Sequence, residues 1–445
     1  MGEAPHVSHA RDLYRFLKII KQGLQMVEKF EVCCYQGLVR PHQTDVSGEM
    51  RMDAATTLLI ESVDAYLSLM QPSNTVSKND AAVSKQTVTA ITLTKTESPL
   101  PKLGEIVTCL ISVLSDKGLK PLLSAQLTGI HGKAWLATIE LEVEDSGSLW
   151  KTKLGAEQLN WPPMRLIRRL QKNQCDQAGH VNVQAFMELA DEAVAVLCIQ
   201  SLTELPRMQV VKARISFKHE LFEGDMVSVF SGIRSITSTG LDVVHGIVHQ
   251  PSGRLACILE THIAVLDSIG KTKQFTEAVE TFPGELINDW PSLPCAREPA
   301  LPRVANLPLS NSLTSVMAVV DAWDADEFGF MNMRAIVNLC STGARQYLAT
   351  IGLTGLRFSQ EKITVAAVDY LIEIYQRPRL GSNITVRSDY LSHTGKSLRF
   401  SHHFMDSNEG SIFATVEIVG VMLDLSNHRS TEIPKDVLER LLRVN

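Results

Sequence analysis

CDQAGHVNVQAFMELADEA, residues 175–193, runs a glycine-broken turn straight into an apolar segment. Gly179 interrupts the chain, and Phe186, Met187, Leu189, Ala190, Val194 and Leu197 then follow at a density suited to a largely buried helix. Two other stretches read the same way. TDVSGEMRMDAATTLLIESVDA spans 44–65, and WDADEFGFMNMRAIVNLCSTGA spans 323–344. Their aspartates Asp45, Asp176 and Asp326 lie 131 (176 − 45) and 150 (326 − 176) residues apart. Intervals of that size are domain lengths, too long for a solenoid repeat.

The surroundings of the three stretches agree. In the middle copy MRLIRRL (164–170) reads as a short strand before the loop. MQVVKARISFKH, DMVSVFSGIRSI, LDVVHGIVHQ and RLACILETHIAVLD read as strands after the helix. The first copy repeats the order with TVTAITLT, EIVTCLISVL, LLSAQLTGI and KAWLATIELEVED, and the third with ITVAAVDYLIEI, NITVRSDYL, LRFSHHFMD and SIFATVEIVGVMLD. Gly104, Gly224 and Gly381 precede the second long strand of each copy, and Gly118, Gly240 and Gly395 mark the next turn. The expected class is α+β: three tandem units, each a curled antiparallel sheet around a long central helix. Residues 1–150 form the first unit and 151–270 the second. Residues 271–312 form a proline-rich strap, with a short helix expected near KTKQFTEAVETF. Residues 313–445 form the third unit, ending in a helix within STEIPKDVLERLL.

Composition narrows the function. Lys and Arg total 43 against 49 acidic residues, a net charge of −6 over 445 residues, so no basic field favours nucleic acid. No apolar run is long enough to span a membrane. The eight cysteines are scattered through mostly apolar stretches without metal-ligand spacing, which reads as buried thiols in a reducing compartment. No metal or cofactor is expected. The opening residues lack a secretory h-region. Arg11, Arg15, Lys18 and Lys21 read either as a surface helix or as part of an import signal, with Glu3 and Asp12 against the latter. The expected compartment is the cytoplasm, with a mitochondrial or other organelle matrix as the alternative.

Strand, Asp-x-x-Gly-His-Val-Asn loop, buried helix and strand meander together resemble the hot-dog fold, and within it the 4-hydroxybenzoyl-CoA thioesterase-like family. That resemblance implies a loop aspartate that acts on an acyl thioester as nucleophile or as base toward water. It further implies backbone N–H groups at the helix start for the carbonyl oxygen, and an assisting acid later in the helix. By position these become Asp176, Gly179, His180, Val181, Asn182, Phe186 and Glu192 in the middle copy. Asp326, Gly329, Phe330, Met331 and Asn332 match in the third, and Asp45, Gly48, Glu49, Met50 and Glu61 in the first. The outer copies depart from the pattern. Arg51 stands where the first copy should carry Asn, and the third has Phe330 for His and Thr342 for the helix acid. Only the middle copy holds Asp, His, Asn and Glu together.

The residues themselves leave alternatives open. Thioester hydrolysis needs a carboxylate at the carbonyl carbon and donors aimed at the developing oxyanion, and a Gly-broken loop at a helix N-terminus supplies both. Asp176 is that carboxylate or a turn and cap residue. His180 orients it or is satisfied within the loop. Asn182 reads as a loop brace, and Glu192 as an assisting acid or a surface residue. Asp324 is a second carboxylate beside Asp326, and His219 lies on a strand that can face a cleft. His402 and His403 alternate across their strand, so one at most is expected to point inward. Lys212, Arg214 and Lys218 are candidate partners for a carrier phosphate.

Two function classes follow: hydrolysis of an acyl-CoA or acyl-carrier thioester, and a non-catalytic hot-dog scaffold, assembly subunit or acyl-CoA-binding protein. An open pocket at the Asp176 loop favours the first; Phe186 or Met187 filling it favours the second. A hot-dog dehydratase fits less well, since its Asp/His or His/Glu pair has no clear place. Sheet edges need covering, and three units cannot all pair within one chain, so a homodimer or larger assembly is expected.

Overall fold

The computed structural model describes residues 31–38, 43, 47, 49–70, 86–95, 100–102, 105–115, 122–129, 132–143, 164–175, 179–201, 208–273, 312–326, 328–427 and 429–444. The basic segment Arg11 to Lys21, the loop residues Asp45, Gly48 and Asp176, and the strap from 274 to 311 lie outside the described residues.

The first elements are β1 (Glu31–Leu38), α1 (Met52–Met70), β2 (Gln86–Lys95), β3 (Ile106–Ser115), β4 (Leu122–Gly129) and β5 (Gly132–Val143). Next come β6 (Met164–Arg169), α2 (Val183–Ser201), β7 (Met208–Phe217), β8 (Met226–Ile236), β9 (Gly240–His249) and β10 (Arg254–Val265). The last group is β11 (Leu313–Val319), α3 (Met333–Thr350), α4 (Gly355–Glu361), β12 (Ile363–Ile374), β13 (Asn383–His393), β14 (Ser397–Asp406), β15 (Ile412–Asp424), β16 (Arg429–Ser430) and α5 (Lys435–Val444). Short strand, helix, four strands thus recurs three times. β1 and β11 are short runs without alternation and carry no strand pattern in the sequence, and α4 is a seven-residue helix capped by the Thr354 side chain on the Arg357 N–H.

The strands form one sheet in the order β11-β13-β14-β15-β12-β7-β10-β9-β8-β6-β1-β3-β4-β5-β2, and its ladders are antiparallel. A β-bulge recurs at the same place in three strands, skipping Thr89 in β2, Val211 in β7 and Val368 in β12. Each bulge bends the strand that follows the long helix. Two strand pairings join the copies. β7 pairs with β12 from Lys212↔Glu373 to Ser216↔Asp369, and β1 meets β6 at Gln36↔Ile167.

Helices α2 and α3 pack against each other, and their buried side chains form one core with the strands below. Phe186, Met187, Val194 and Leu197 of α2 and Met333, Ile336, Val337 and Cys340 of α3 belong to it. Phe186 meets Phe217 edge-on at 5.2 Å, and Phe217 continues to Tyr370 across the seam. Helix α1 buries Ala55, Leu58, Leu59 and Val63 over β3 and β4.

Candidate active site

The third loop is built around its aspartate. Asp326 Oδ1 accepts the N–H groups of Phe328 and Phe330, each at 2.9 Å, while its own backbone N–H donates to Phe330 O at 2.7 Å. Gly329 closes the turn at φ 76°, in the left-handed region that costs glycine nothing. Asn332 caps α3, its side-chain oxygen accepting the Ala335 N–H at 2.9 Å, and its backbone N–H donates to Asp324 O. Asp326 therefore serves its own turn, as the cap-and-turn reading requires, yet only one carboxylate oxygen is used that way.

The other oxygen faces the middle copy. Asp326 Oδ2 accepts a hydrogen bond from Gln209 Nε2 of β7. Asp191 of α2 lies beside it and accepts the Met333 N–H, the first of helix α3, at 3.3 Å. Behind both is Arg377, 1% exposed, which donates to Met331 O at 2.8 Å and Val210 O at 2.6 Å and stands 4.0 Å from Asp191. The cation fixes the start of α3 to a strand of the neighbouring copy. Burial pushes the Asp326 carboxyl above the ordinary carboxylate range, with Arg377 pulling it down and Asp191 pushing it up. Burial likewise raises Asp324, which Arg334 approaches at 3.7 Å.

The helix acid that reaches this loop is Asp191, one residue before Glu192. A single step turns a side chain by about 100° around a helix, enough to send Glu192 elsewhere. Glu192 is buried and accepts from Arg168, whose guanidinium lies 4.1 Å over the Tyr35 ring and also donates to Gln36 O. That pair ties the middle copy to the first. Phe330 is fully buried under the Arg379 guanidinium at 5.1 Å.

In the middle copy Gly179 has φ 83°, and among the described residues a Cβ there meets nothing within 4 Å, so the glycine serves the backbone turn. The Val181 N–H donates to Leu221 O, the Asn182 N–H to Gln174 O, and His180 packs edge-on against Phe222 at 5.1 Å. Phe186 and Met187 are buried in the core.

Other candidates fall away from both loops. His219 is exposed at a strand end. Lys212 and Arg214 face Glu373 at 3.0 Å and Asp369 at 3.5 Å across the β7–β12 seam, so each already has an acidic partner. His402 and His403 do alternate across β14, but both are buried, which corrects the expectation that at most one turns inward. His402 bonds Ser388 at 2.7 Å on the face carrying Phe400 and Phe404, while His403 lies 3.1 Å from Ser401 and 3.5 Å from Asp389. Burial lowers the first to about 3 and the second to about 4. The expectation assumed one wet face; here both faces of β14 are covered. Among the described residues no three His, Cys, Asp or Glu side chains cluster at metal-binding distance, and no described helix is long and apolar enough to cross a membrane.

Residues 170–288 and 320–441, more than half the chain, match the model of the thioesterase-like superfamily. The chain belongs to that superfamily. The two matched segments contain α2 and α3, the helices that share a core, together with the Asp326 loop. Membership brings the hot-dog fold and supports hydrolase activity of the thioesterase type. No curated protein sequence matches the chain. Among solved structures it is similar to the 12:0-ACP thioesterase from Umbellularia californica, at 12% identity and TM-score 0.43 over 57% of this chain and 92% of that one. An acyl-ACP thioesterase from Bacteroides thetaiotaomicron gives 10% identity and TM-score 0.41 over 57% and 96%. A 1,4-dihydroxy-2-naphthoyl-CoA thioesterase from Synechocystis gives 12% and TM-score 0.27 over 28% and 93%. The assignment of the superfamily rests on the family model.

Proposed function

We propose that the protein hydrolyses the thioester of an acyl-CoA or acyl-carrier substrate, with Asp326 as the base at a site shared by the second and third of three hot-dog units. One observation carries this reading: a carboxylate raised by burial, with one oxygen held by its own turn and the other by Gln209, stands at the N-terminus of an apolar helix. Asp326 takes a proton from water as the water oxygen bonds to the thioester carbonyl carbon. The resulting oxyanion lies at the start of α3, where the helix dipole favours negative charge. Collapse of the tetrahedral intermediate breaks the C–S bond, and the thiolate recovers the proton from Asp326. A base with a raised pKa holds that proton better.

Residues of the middle copy complete the site. Gln209 orients the carboxylate, and Asp191 and Arg377 set the position of the helix start. The exposed apolar side chains of Trp323, Phe328 and Leu380 around the loop suit an acyl or pantetheine chain. Leu380 is held there by its N–H bond to Gly329 O at 3.1 Å.

A second reading has one observation in its favour. Phe186 and Met187 are buried in the core that α2 shares with α3, which fits Asp176, Gly179, His180 and Asn182 as scaffold in the middle copy. The test is turnover of a panel of short, long and aromatic acyl-CoAs by the wild type, Asp326→Ala and Asp176→Ala. The reading expects Asp326→Ala to lose activity and Asp176→Ala to retain most of it. Equal turnover by wild type and Asp326→Ala removes the assignment, and hydrolysis by none of the three leaves the scaffold.

A further inference from the structure

Strand β10 of the middle copy runs into a turn, residues 267–271, that packs on the third copy. Asp267 shapes this turn. Its Oδ1 accepts the N–H groups of Ile269 and Lys271, each at 2.9 Å, and its backbone N–H donates to Lys271 O at 2.8 Å. Three successive carbonyls then grip the segment that follows β12. Ser268 O accepts from the Arg379 guanidinium, Ile269 O from Gln376 Nε2 at 3.2 Å, and Gly270 O from the Arg377 N–H at 3.0 Å. Lys271 and Gln376 form one antiparallel bridge, and Arg379 and Phe330 the next. Residues 376–379 therefore lie between the turn and the Asp326 loop.

Gly270 is where the fit is closest. Its φ is 82°, and a Cβ there would stand 2.5 Å from Arg377 O and 3.1 Å from Phe330 Cε1. A main-chain carbonyl cannot swing aside as a side chain can, so any side chain at 270 displaces the turn or Arg377. Both groups that Gly270 touches lead to Asp326. The Phe330 N–H donates to Asp326 Oδ1 and Phe330 O accepts the Asp326 N–H, while Arg377 holds Met331 O and Val210 O. Gly270 thus stands one residue away from the carboxylate without touching it.

The other end of the seam lacks this brace. The 157-residue spacing of the bulges at Val211 and Val368 relates Asp267 to Asp424, and Gln376, Arg377 and Arg379 to His219, Glu220 and Phe222. Asp424 shapes an equivalent turn, its Oδ1 accepting the Ser426 N–H at 2.8 Å, but the Leu425 N–H donates to Lys362 O of the same copy. His219, Glu220 and Phe222 are exposed, and among the described residues no hydrogen bond joins them to the Asp424 turn.

We propose that the turn at 267–271 is the brace that sets the position of the Asp326 carboxylate, with Gly270 as its positioning residue. The inference rests on Asp326 as the base and extends that reading to a part of the middle copy outside the site. A base misplaced by 1 Å loses up to about 10²-fold in rate, so a contact that fixes the loop from behind acts on kcat.

Steady-state kinetics of the full chain, with the acyl-CoA that the wild type hydrolyses best, test it. Gly270→Ala should lower kcat by up to about 10²-fold with KM close to wild type. Asp267→Ala, which loosens the turn without adding bulk, should lower kcat less. Asp267→Asn keeps an oxygen in the place of Oδ1 and should recover most of that loss. Asp424→Ala loosens the equivalent turn and should leave kcat unchanged. The Asp267 pair and the Asp424 contrast decide the matter even where Gly270→Ala misfolds. Unchanged kcat in Asp267→Ala, an equal loss in Asp424→Ala, or no recovery by Asp267→Asn overturns the proposal. Asp326→Ala tells the two readings apart: its kcat falls where only the brace is wrong, and holds where the base is wrong too.

Discussion

At one end of the α2–α3 seam the Asp326 loop faces Asp191 and Gln209, with Arg377 buried behind them. At the positions that the repeat relates to these three, the chain carries Ser341, Ala366 and Glu220. The first correspondence is the 150-residue spacing of the loops. The other two are the 157-residue spacing of the bulges at Val211 and Val368 and of Gly224 and Gly381. Ser341 bonds Tyr370, whose hydroxyl burial pushes far above its usual value, and Glu220 is exposed. So two copies joined by one pseudo-symmetric backbone have unlike ends. Strand pairing uses only main-chain N–H and C=O groups, which every residue supplies, so side chains at the two ends are free to diverge. The loop motif alone points to the middle copy; among the described residues the buried loop carboxylate held by a side chain of the neighbouring copy is that of the third.

The sharpest way to break this asymmetry is to remove each loop aspartate. Asp326→Ala should lower kcat/KM by about 10²–10⁴-fold, the range for a positioned base, with Asp176→Ala well inside that loss. Steady-state kinetics of the two variants decide it, and the reverse ranking moves the active end to the middle loop. Next in size is the junction with the first copy. Glu192→Ala leaves Arg168 without its buried partner and should cost about 3–5 kcal/mol in denaturant unfolding. Its kcat in the folded fraction should stay close to wild type; a selective loss of kcat instead makes Glu192 a working acid at the middle loop.

A smaller effect separates the bystander glycine from the working one. Gly179→Ala and Gly329→Ala each place a Cβ at positive φ in open space, so each should cost about 1–2 kcal/mol of stability. Gly329→Ala alone should also reduce turnover, by displacing Asp326. The subtlest test is the pH profile. Asp326 works ionised, so activity falls as pH drops through its pKa, which burial holds above the ordinary carboxylate range. Asp191 pushes that pKa up by like charge. Asp191→Asn should therefore move the acid limb of kcat/KM to lower pH, and an unmoved or raised limb separates Asp191 from the base.

Sequence reading reached the fold through features that are local by nature. A glycine turn before an apolar helix and the glycines between strands are written in consecutive residues, and the helices and strands formed within a few residues of where the pattern set them. Glu192 shows where that method stops. The family resemblance places the helix acid at Glu192, and no local signal distinguishes it from Asp191 next door. Gln209 and Arg377 carry no motif at all. Their one trace is a mismatch between copies, polar Gln209 against Ala366 and Arg377 against Glu220, and it becomes informative only once the loop they serve is known.

The chain by itself determined the repeated order of elements, the α+β class and the kinship of its loops, because helix phase, strand alternation and turn glycines act over a few residues. Tertiary structure alone decided which loop meets which helix, that Glu192 serves a junction while Asp191 faces Asp326, and that β2 and β11 end the sheet. Those outcomes depend on strands far apart in the chain finding one another. A carboxylate's environment is set by whatever that pairing brings within a few ångströms of it.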